Sequence, residues 1–527
     1  MSPVELLTGL VAACVGLALV ARAVGIPSAV ALVLGGMVLA IVPGAPPLEL
    51  DPHLALALFL PPLLQASAYR TDWEAFRLAL RPILLLALGA VLFSTAAVAA
   101  VTHWLVPDLP WGAAIAFGAI VAPPDAVAAT AVLKTTPIPR RLVTILEGES
   151  LLNDASSLIL YRFAVVATAA GSVDFAAAGS SFVLSAVGGM LVGGLIGAVV
   201  IGIARRLDDT LLEIASMALA GFASYFAAEL LHTSGVLAAV ACGLVIGRSQ
   251  HEALSARTRV ESTAVWNFIE FVLTGLVFIL IGLQLRAVLD RLGGFGAGRL
   301  AMLAAATSFV LIASRFVWVF GSSGVAAIVP RRFRIRSAAM PISHLTIISW
   351  AGMRGVVSLA AAVALPEDFP GRDLIVFLAF CAILVTLVLQ GTTLSWLIRV
   401  LRVADPVEAG ARETGGREAA VRLAAAEAAL SLVEDRLYNG RVLGLPDADM
   451  LREHRRRVDS ARALSQGEAF AARQRHARVR LELDVVHAAR RAVLDRGYLL
   501  DGEELQSIEE EFDFEENRLT RSASAGH

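Results

Sequence analysis

Residues 147–154 read EGESLLND and place three carboxylates and one amide within two helical turns. The segment lies within the apolar run 142–168 of a mostly hydrophobic chain. An ionised side chain at the centre of a bilayer costs about 2.5–3.5 kcal/mol on insertion scales, so such a cluster persists only where it faces a partner, water or an ion. The segment therefore predicts a functional polar centre inside a membrane helix.

The composition of the whole chain is that of a membrane protein. Of its 527 residues, 57% are hydrophobic and only 17% are charged, and the mean hydropathy is +0.72. These values lie far outside the usage of soluble globular proteins. We therefore expect an all-α polytopic protein embedded in the lipid bilayer, with no nucleic-acid partner.

Apolar runs of about the length that crosses a bilayer predict thirteen transmembrane helices. The runs cover residues 4–22, 26–43, 53–69, 82–103, 111–133, 142–168, 181–204, 211–231, 234–247, 264–285, 299–321, 342–365 and 374–398. Residues 1–5 contain no Lys or Arg, so the first run is expected to be a retained span rather than a cleaved signal peptide.

The loops between the runs alternate in charge. One set carries about eighteen Lys and Arg residues and the other about four. Because basic loops face the cytoplasm, the N-terminus is predicted to lie outside and the C-terminus inside. The preference for Arg over Lys indicates a GC-rich bacterial source, so the bacterial cytoplasmic (inner) membrane is the expected location.

A change of composition near residue 403 predicts two domains, a transmembrane domain over 1–402 and a helical cytoplasmic domain over 403–527. The second part is rich in Arg, Glu and Ala, and apolar positions follow helical spacing in 419–438 and 469–494. It contains no recognisable ligand-binding motif, so a role in assembly is favoured over a role as a ligand sensor.

The sequence offers no motif for an energy source other than an ion gradient. A phosphate-binding loop needs Gly-Lys followed by Ser or Thr, whereas Lys134 follows Leu133. The three cysteines lie singly in different spans, as expected of small buried residues, and there is no haem or zinc pattern. The chain is therefore predicted to be a gradient-driven transporter without cofactors, and not an enzyme.

The fifth span is interrupted in the middle of the membrane by Pro123 and Pro124, immediately before Asp125. Each proline removes a backbone donor and clashes with the preceding turn. The polar backbone that is left needs ions, water or protein partners, so a broken helix with exposed carbonyl groups is expected here.

The twelfth span contains a second interruption, Gly352-Met353-Arg354-Gly355. Spans five and twelve occupy corresponding positions if spans one to six and eight to thirteen form inverted repeats. Paired broken helices of this kind surround the substrate site of many transporters, near the bilayer midplane.

Span six supplies the ligands for such a site. On a helix, Ser150 and Asp154 share one face, and Glu149 and Asn153 share the neighbouring face. With freed carbonyl groups, Asp125, Asp154 and Ser150 would form a hard-oxygen site for a small alkali cation. Two nearby carboxylates also compete to bind a proton, so cation and proton would use the same oxygens, as antiport requires.

The residues 118–167, together with the ESLLND and GMRG motifs at 149–154 and 352–355, closely resemble the sodium/proton exchanger family, in particular the bacterial members of its electroneutral branch. The resemblance covers about 400 residues, and the tail at 495–519 is also similar. It implies a thirteen-span fold with a mobile core domain and a dimerisation domain, elevator-type alternating access, a homodimer and a part in pH homeostasis.

The resemblance also assigns residue roles. It implies that Asp154 is the principal carboxylate for cation and proton, with Asp125 and Ser150 as further ligands. Many relatives have Thr immediately before the span-five aspartate, whereas this chain has Pro124. The loss of a hydroxyl leaves a backbone carbonyl as the only ligand at that position, which bears on selectivity among Na+, Li+ and K+.

Asn153 stands where electrogenic relatives have a second aspartate, which implies one proton per cation. The resemblance further implies that Glu149 forms a structural ion pair with Arg354 and keeps Asn153 in place. The remaining intramembrane charges are expected to form internal pairs, for instance Arg162 with Glu270.

The predicted function is exchange of Na+ or Li+ for H+ across the cytoplasmic membrane. A K+/H+ antiporter is the alternative within the same class. A cation channel, or a transporter-like sensor that signals through residues 403–527, is the alternative from a different class.

Overall fold

The computed structural model describes residues 3–41, 52–125, 129, 138–170, 175–207, 209–290, 292, 296–328, 340–403, 423–435, 447–465, 469–494, 512–516 and 518–520. Every regular element within these ranges is a helix, which confirms the predicted all-α class. The chain separates into two compact units, Met1–Ala404 and Asp405–His527.

The first unit contains fourteen helical elements in the described ranges. They are α1 (Pro3–Val24), α2 (Ser28–Ile41), α3 (Pro52–Arg70), α4 (Trp73–Leu105), α5 (Trp111–Val121), α6 (Arg140–Ala170), α7 (Phe175–Ala204), α8 (Thr210–Leu230), α9 (Gly235–Ala253), α10 (Ala256–Asp290), α11 (Ala297–Ile328), α12 (Ile342–Trp350), α13 (Val356–Val363) and α14 (Arg372–Val400). Two of them contain a π-helical turn, at Leu85–Ala90 in α4 and at Thr386–Gln390 in α14.

Seven of the described helices are long and apolar enough to cross a membrane, and shorter apolar helices accompany them. The chain is therefore a multi-pass membrane protein. The buried share of the apolar window rises from 11% in Leu7–Val24 to 72% in Arg372–Val400, so α1 lies at the periphery of the unit and α14 in its interior. The count of thirteen spans and the orientation of the termini stay predictions.

The helices of the first unit pack in two groups. Helices α4, α5 and α6 pack together with α11 to α14, whereas α1, α2 and α3 pack with α7 to α10. In the second group the backbones of α2 and α10 lie very close together. A Cβ atom on Gly36 would overlap the Ile279 carbonyl, and a Cβ atom on Gly282 would overlap the Val33 carbonyl. Small residues allow such close backbone contact in membrane helices.

The second unit contains a helix at 423–435, α15, followed by α16 (Asp447–Ser465) and α17 (Ala469–Leu494). Ion pairs from Arg455 to Glu434 and from Arg462 to Glu427 join α16 to α15 in antiparallel order. The described apolar core of this unit is small. One cluster consists of Val479, Val486 and Leu519, with Leu483 and Phe512 packed against them, and Val433 and Val458 are also buried.

Candidate functional site

The structure places non-helical segments at both predicted interruptions. Helix α5 ends at Val121, and residues 122–125 leave the helix with Pro123 and Pro124 in their centre. Residues 351–355 separate α12 from α13. The continuation of span five beyond Asp125 lies mostly outside the described residues, whereas the twelfth span is seen as two short helices joined by the segment 351–355.

The two non-helical segments are joined by backbone and side-chain hydrogen bonds. The Asp125 N–H donates to the Met353 carbonyl at 2.6 Å. From α6, the Asn153 Nδ2 group donates to the Pro124 carbonyl at 2.8 Å, and the Ser157 hydroxyl donates to the Ala119 carbonyl at 2.7 Å. These contacts meet the demand for polar partners that the proline interruption creates.

Arg354 binds the free backbone carbonyl groups at the end of α5. Its guanidinium group donates to the carbonyls of Val121 at 2.8 Å and Ala122 at 3.2 Å, and also to that of Gly352. The last carbonyls of a helix have no partner in the helix and carry partial negative charge. Backbone oxygens therefore hold the buried guanidinium group of Arg354, and this group links the two non-helical segments.

The predicted ion pair between Glu149 and Arg354 is wrong. Glu149 instead forms a bidentate ion pair with Arg315 of α11, with N–O distances of 2.5 and 2.8 Å. Both side chains are almost fully buried, and Arg315 Nε also donates to the Ile348 carbonyl at 3.0 Å. The physical reason is that the proline interruption leaves carbonyls for Arg354 to bind, so the second buried arginine is the one available to Glu149.

The predicted pair of Arg162 with Glu270 is also wrong. Arg162 of α6 binds Glu229 of α8 at 2.9 Å, and Glu270 of α10 binds Arg70 of α3 at 2.7 Å. The expectation that intramembrane charges form internal pairs holds for these side chains, but the partners depend on how the helices are arranged in space.

Asp154 is buried on α6, close enough to Asp125 for the two charges to interact. Within the described residues its carboxylate accepts no hydrogen bond and forms no ion pair. The Asn153 Oδ1 atom is also buried without a hydrogen-bond partner there, and Ser150 lies one helical turn before Asp154. The arrangement offers hard oxygen ligands to a small cation or a proton.

No group of three or more His, Cys, Asp or Glu side chains suited to a resident metal occurs in the described part of the chain. Asp154 and Asp125 offer carboxylate oxygens, which are ligands that hard cations prefer.

Sequence reasoning assigned no specific contact to several residues that shape the site. Ser156 donates to the Ala87 carbonyl at 2.7 Å, within the π-turn of α4, and the Arg354 N–H donates to the Thr386 hydroxyl at 3.0 Å, within the π-turn of α14. Arg315 was visible only as one of several intramembrane charges. A single Ser or Thr in an apolar helix does not by itself indicate which neighbouring segment its hydroxyl group binds.

Gly355 provides the space for the Asp125 side chain, because a Cβ atom on Gly355 would overlap the Asp125 carboxylate. We expect Gly355→Ala to displace this carboxylate and raise the KM for the transported cation about ten-fold, which corresponds to about 1.4 kcal/mol. Cation titrations of proton movement in everted membrane vesicles measure the change.

Gly391→Ala is the matched control for Gly355→Ala. Its Cβ atom would lie 3.4 Å from the nearest atoms, Met353 Sδ and Val30 Cγ2, which is ordinary contact, and alanine is a better helix former than glycine. This variant is expected to keep the wild-type KM. An unchanged KM in Gly355→Ala would mean that Asp125 does not need the space.

Comparison with known proteins places this architecture in a family. The family model for the transmembrane sodium/hydrogen exchanger matches residues 9–400. An uncharacterized Na+/H+ exchanger of Mycobacterium bovis is 34% identical over 387 residues, which cover 72% of this chain and 71% of that protein. A sodium, potassium, lithium and rubidium/H+ antiporter of Bacillus pumilus is 36% identical, covering 69% of this chain and 56% of that protein.

Two further similarities agree with this assignment. The Na+/H+ antiporter NhaH of Halobacillus dabanensis is 30% identical, covering 74% of this chain and 96% of that protein. The solved structure of a sodium proton antiporter from Methanocaldococcus jannaschii at pH 8 matches with a TM-score of 0.60 and 17% identity, covering 76% of this chain and 99% of that one, which is a likeness of fold. The chain belongs to the sodium/hydrogen exchanger family, whose members are cation/proton antiporters and not enzymes.

Proposed function

We propose that this protein exchanges Na+ or Li+ for H+, one for one, across the bacterial cytoplasmic membrane. The observation that carries the proposal is the Asp154 carboxylate, which is buried close to Asp125, where α6 bonds to the segment that follows α5, and is left without a hydrogen-bond or ion-pair partner among the described residues. A buried carboxylate of this kind needs a proton or a cation, and only one of them fits at a time.

The buried charges favour an electroneutral exchange. Three carboxylates, Asp125, Glu149 and Asp154, and two guanidinium groups, Arg315 and Arg354, lie near the two interrupted segments. When both aspartates are ionised, one negative charge is left over. A single Na+ or a single H+ neutralises it equally well, so each bound form of the site has the same net charge.

The neighbouring groups have supporting roles in this proposal. Ser150 and the Asn153 Oδ1 atom complete the ligand set, directly or through water, and Pro123, Pro124, Gly352 and Gly355 shape the backbone around it. The Pro124 carbonyl already accepts a hydrogen bond from Asn153, so it has one lone pair left for a cation or its water.

The transport cycle is proposed to be of the elevator type. The group formed by α4 to α6 and α11 to α14 carries the site, and the group formed by α1 to α3 and α7 to α10 would be the scaffold through which two protomers form a homodimer. The N-terminus would lie outside and residues 403–527 in the cytoplasm, as the loop charges predict.

A K+/H+ antiporter is the second candidate. The relative from Bacillus pumilus, which is named for Na+, K+, Li+ and Rb+, supports it. Pro124 also supports it, because it supplies no hydroxyl to the ligand set and so favours no particular cation size.

Transport by the purified protein in proteoliposomes tests the proposal. A pH-sensitive dye inside the vesicles should report proton movement when Na+ or Li+ is added. The response to added K+ tests the second candidate, a K+/H+ antiporter. Because one charge of the same sign moves each way, the initial rate should change by less than about two-fold when a membrane potential of 100 mV is imposed.

Three outcomes would contradict the proposal. A rate that follows the imposed potential would indicate unequal stoichiometry. Proton movement in the absence of any counter-cation would indicate a channel, and a lack of response to all three cations would favour a sensor. Empty vesicles and the Asp154→Asn variant are the controls.

A further inference from the structure

The π-turn at Thr386–Gln390 of α14 brings one hydroxyl group to the interrupted span twelve. The Thr386 side chain is completely buried. Its Oγ1 atom donates to the Ala382 carbonyl of its own helix at 2.8 Å and accepts the Arg354 N–H at 3.0 Å. A hydroxyl has one donor and two acceptor sites, so both contacts are satisfied at the same time.

The Arg354 N–H belongs to the same peptide unit as the Met353 carbonyl. That carbonyl accepts the Asp125 N–H at 2.6 Å. A peptide unit is planar and stiff, so a group that fixes the direction of the N–H also fixes the direction of the C=O. The orientation of the Met353–Arg354 plane therefore depends on Thr386, and the backbone position of Asp125 depends on that plane.

Two successive hydrogen bonds therefore connect α14 to the backbone of Asp125. Helix α14 lies in the interior of the unit, and its π-turn widens the helix at the level where Thr386 faces the segment 351–355. π-Turns occur frequently at functional sites. Hydrogen bonds that share a peptide unit also polarise one another, which strengthens the contact to Asp125.

We propose that Thr386 is a positioning residue for cation binding, which acts on Asp125 through the Met353–Arg354 peptide unit. It touches neither the cation nor the proton. The inference rests on the proposed exchange function and adds to it the group that holds the second carboxylate at a fixed distance from Asp154.

Thr386→Val tests the inference, because valine has nearly the same shape and no hydroxyl. It leaves the Arg354 N–H buried without that acceptor, so the Met353–Arg354 peptide unit loses one of the two hydrogen bonds that fix its plane. In proteoliposomes the KM for Na+ should rise at least about five-fold, while the maximal rate changes by less than about two-fold. Thr386→Ser keeps the hydroxyl and should restore the wild-type KM.

Thr307→Val is the matched control. Thr307 is equally buried, but among the described residues its hydroxyl donates within α11, to the carbonyls of Leu303 and Ala304. This variant should keep the KM of the wild type. Melting temperatures of the detergent-solubilised variants, and Na+ binding measured by calorimetry, separate loss of stability from loss of affinity.

The inference is overturned if Thr386→Val keeps the wild-type KM, if Thr386→Ser is as impaired as Thr386→Val, or if Thr307→Val raises the KM equally. If Thr386→Val does not fold, Thr386→Ala removes the same hydroxyl and is judged by the same criterion. Absence of exchange in the wild type would instead refute the proposed function, and that result is distinct because it precedes any comparison of variants.

Discussion

Asp154→Asn is expected to abolish cation-dependent proton movement. The amide has the shape of the carboxylate, but it neither takes up a proton at working pH nor attracts a cation by charge. Because Asp154 has no hydrogen-bond or ion-pair partner within the described residues, the substitution breaks no contact there and removes an unpaired buried charge. The variant should therefore fold at least as well as the wild type while its exchange falls to that of empty vesicles.

Glu213→Gln is the matched control for this loss of charge. Glu213 of α8 is also a buried carboxylate, only 5% exposed, with an oxygen that has no hydrogen-bond partner in the described part of the chain. It lies in the helix group that does not contain the site. Glu213→Gln should keep exchange, so a loss in both variants would point to a general effect of buried carboxylates rather than to Asp154.

Calorimetric titration with NaCl adds a readout that does not depend on transport. The wild type should bind Na+, and Asp154→Asn should not. Normal exchange by a folded and inserted Asp154→Asn protein would refute the assignment of the site, whatever the other variants do.

Much of the site could be predicted from the sequence because its chemistry is local. The polar residues 147–154 are conspicuous in an apolar span, and the Pro123-Pro124 pair removes two backbone donors and favours a helix end, although α3 continues through Pro61 and Pro62. The interruption at Gly352 and Gly355 is equally visible. The structure brings both interrupted segments to α6, as these local signals indicate.

The pairing of buried charges could not be predicted in this way. Arg315 and Arg354 lie on different spans, and nothing in their sequence spacing tells which of them reaches Glu149. The choice is made by the packing of α11 against α12 and by the carbonyls that the end of α5 offers to Arg354. The family resemblance pointed to Arg354, and the geometry gives Arg315.

The π-turns are hidden for a related reason. The segments Leu85–Ala90 and Thr386–Gln390 are apolar and continue the helical pattern on both sides. A turn of this kind forms because neighbouring segments bind its polar groups, as Ser156 binds Ala87 and Arg354 binds Thr386. Those partners are far apart in sequence, so only the tertiary structure identifies them.

Glu149→Gln is expected to cause the largest loss of stability of any change considered for this protein. Removing one partner of a buried ion pair leaves the other charge without compensation, which costs about 3–5 kcal/mol. Here Glu149 and Arg315 are only 1% and 2% exposed, so solvent screens the remaining charge very little. SDS-induced unfolding from mixed micelles measures the free energy of unfolding.

Arg162→Gln provides the contrast for this measurement. The pair of Arg162 with Glu229 has similar N–O distances, but its side chains are 56% and 32% exposed. Glu229 lies at the end of α8, and pairs at positions that water reaches contribute about 0–1 kcal/mol. A loss in Arg162→Gln as large as that in Glu149→Gln would mean that burial does not decide the effect.

A double-mutant cycle then identifies the partner of Glu149. The double variant Glu149→Gln/Arg315→Met leaves no uncompensated charge, so it should be more stable than Glu149→Gln alone, and the coupling energy should reach about 3 kcal/mol. The corresponding cycle with Arg354 should give a much smaller coupling, because the nearest partners of Arg354 are backbone carbonyls. A larger coupling energy with Arg354 than with Arg315 would mean that Glu149 pairs with Arg354. The charges around Asp154 would then be arranged differently from the description above.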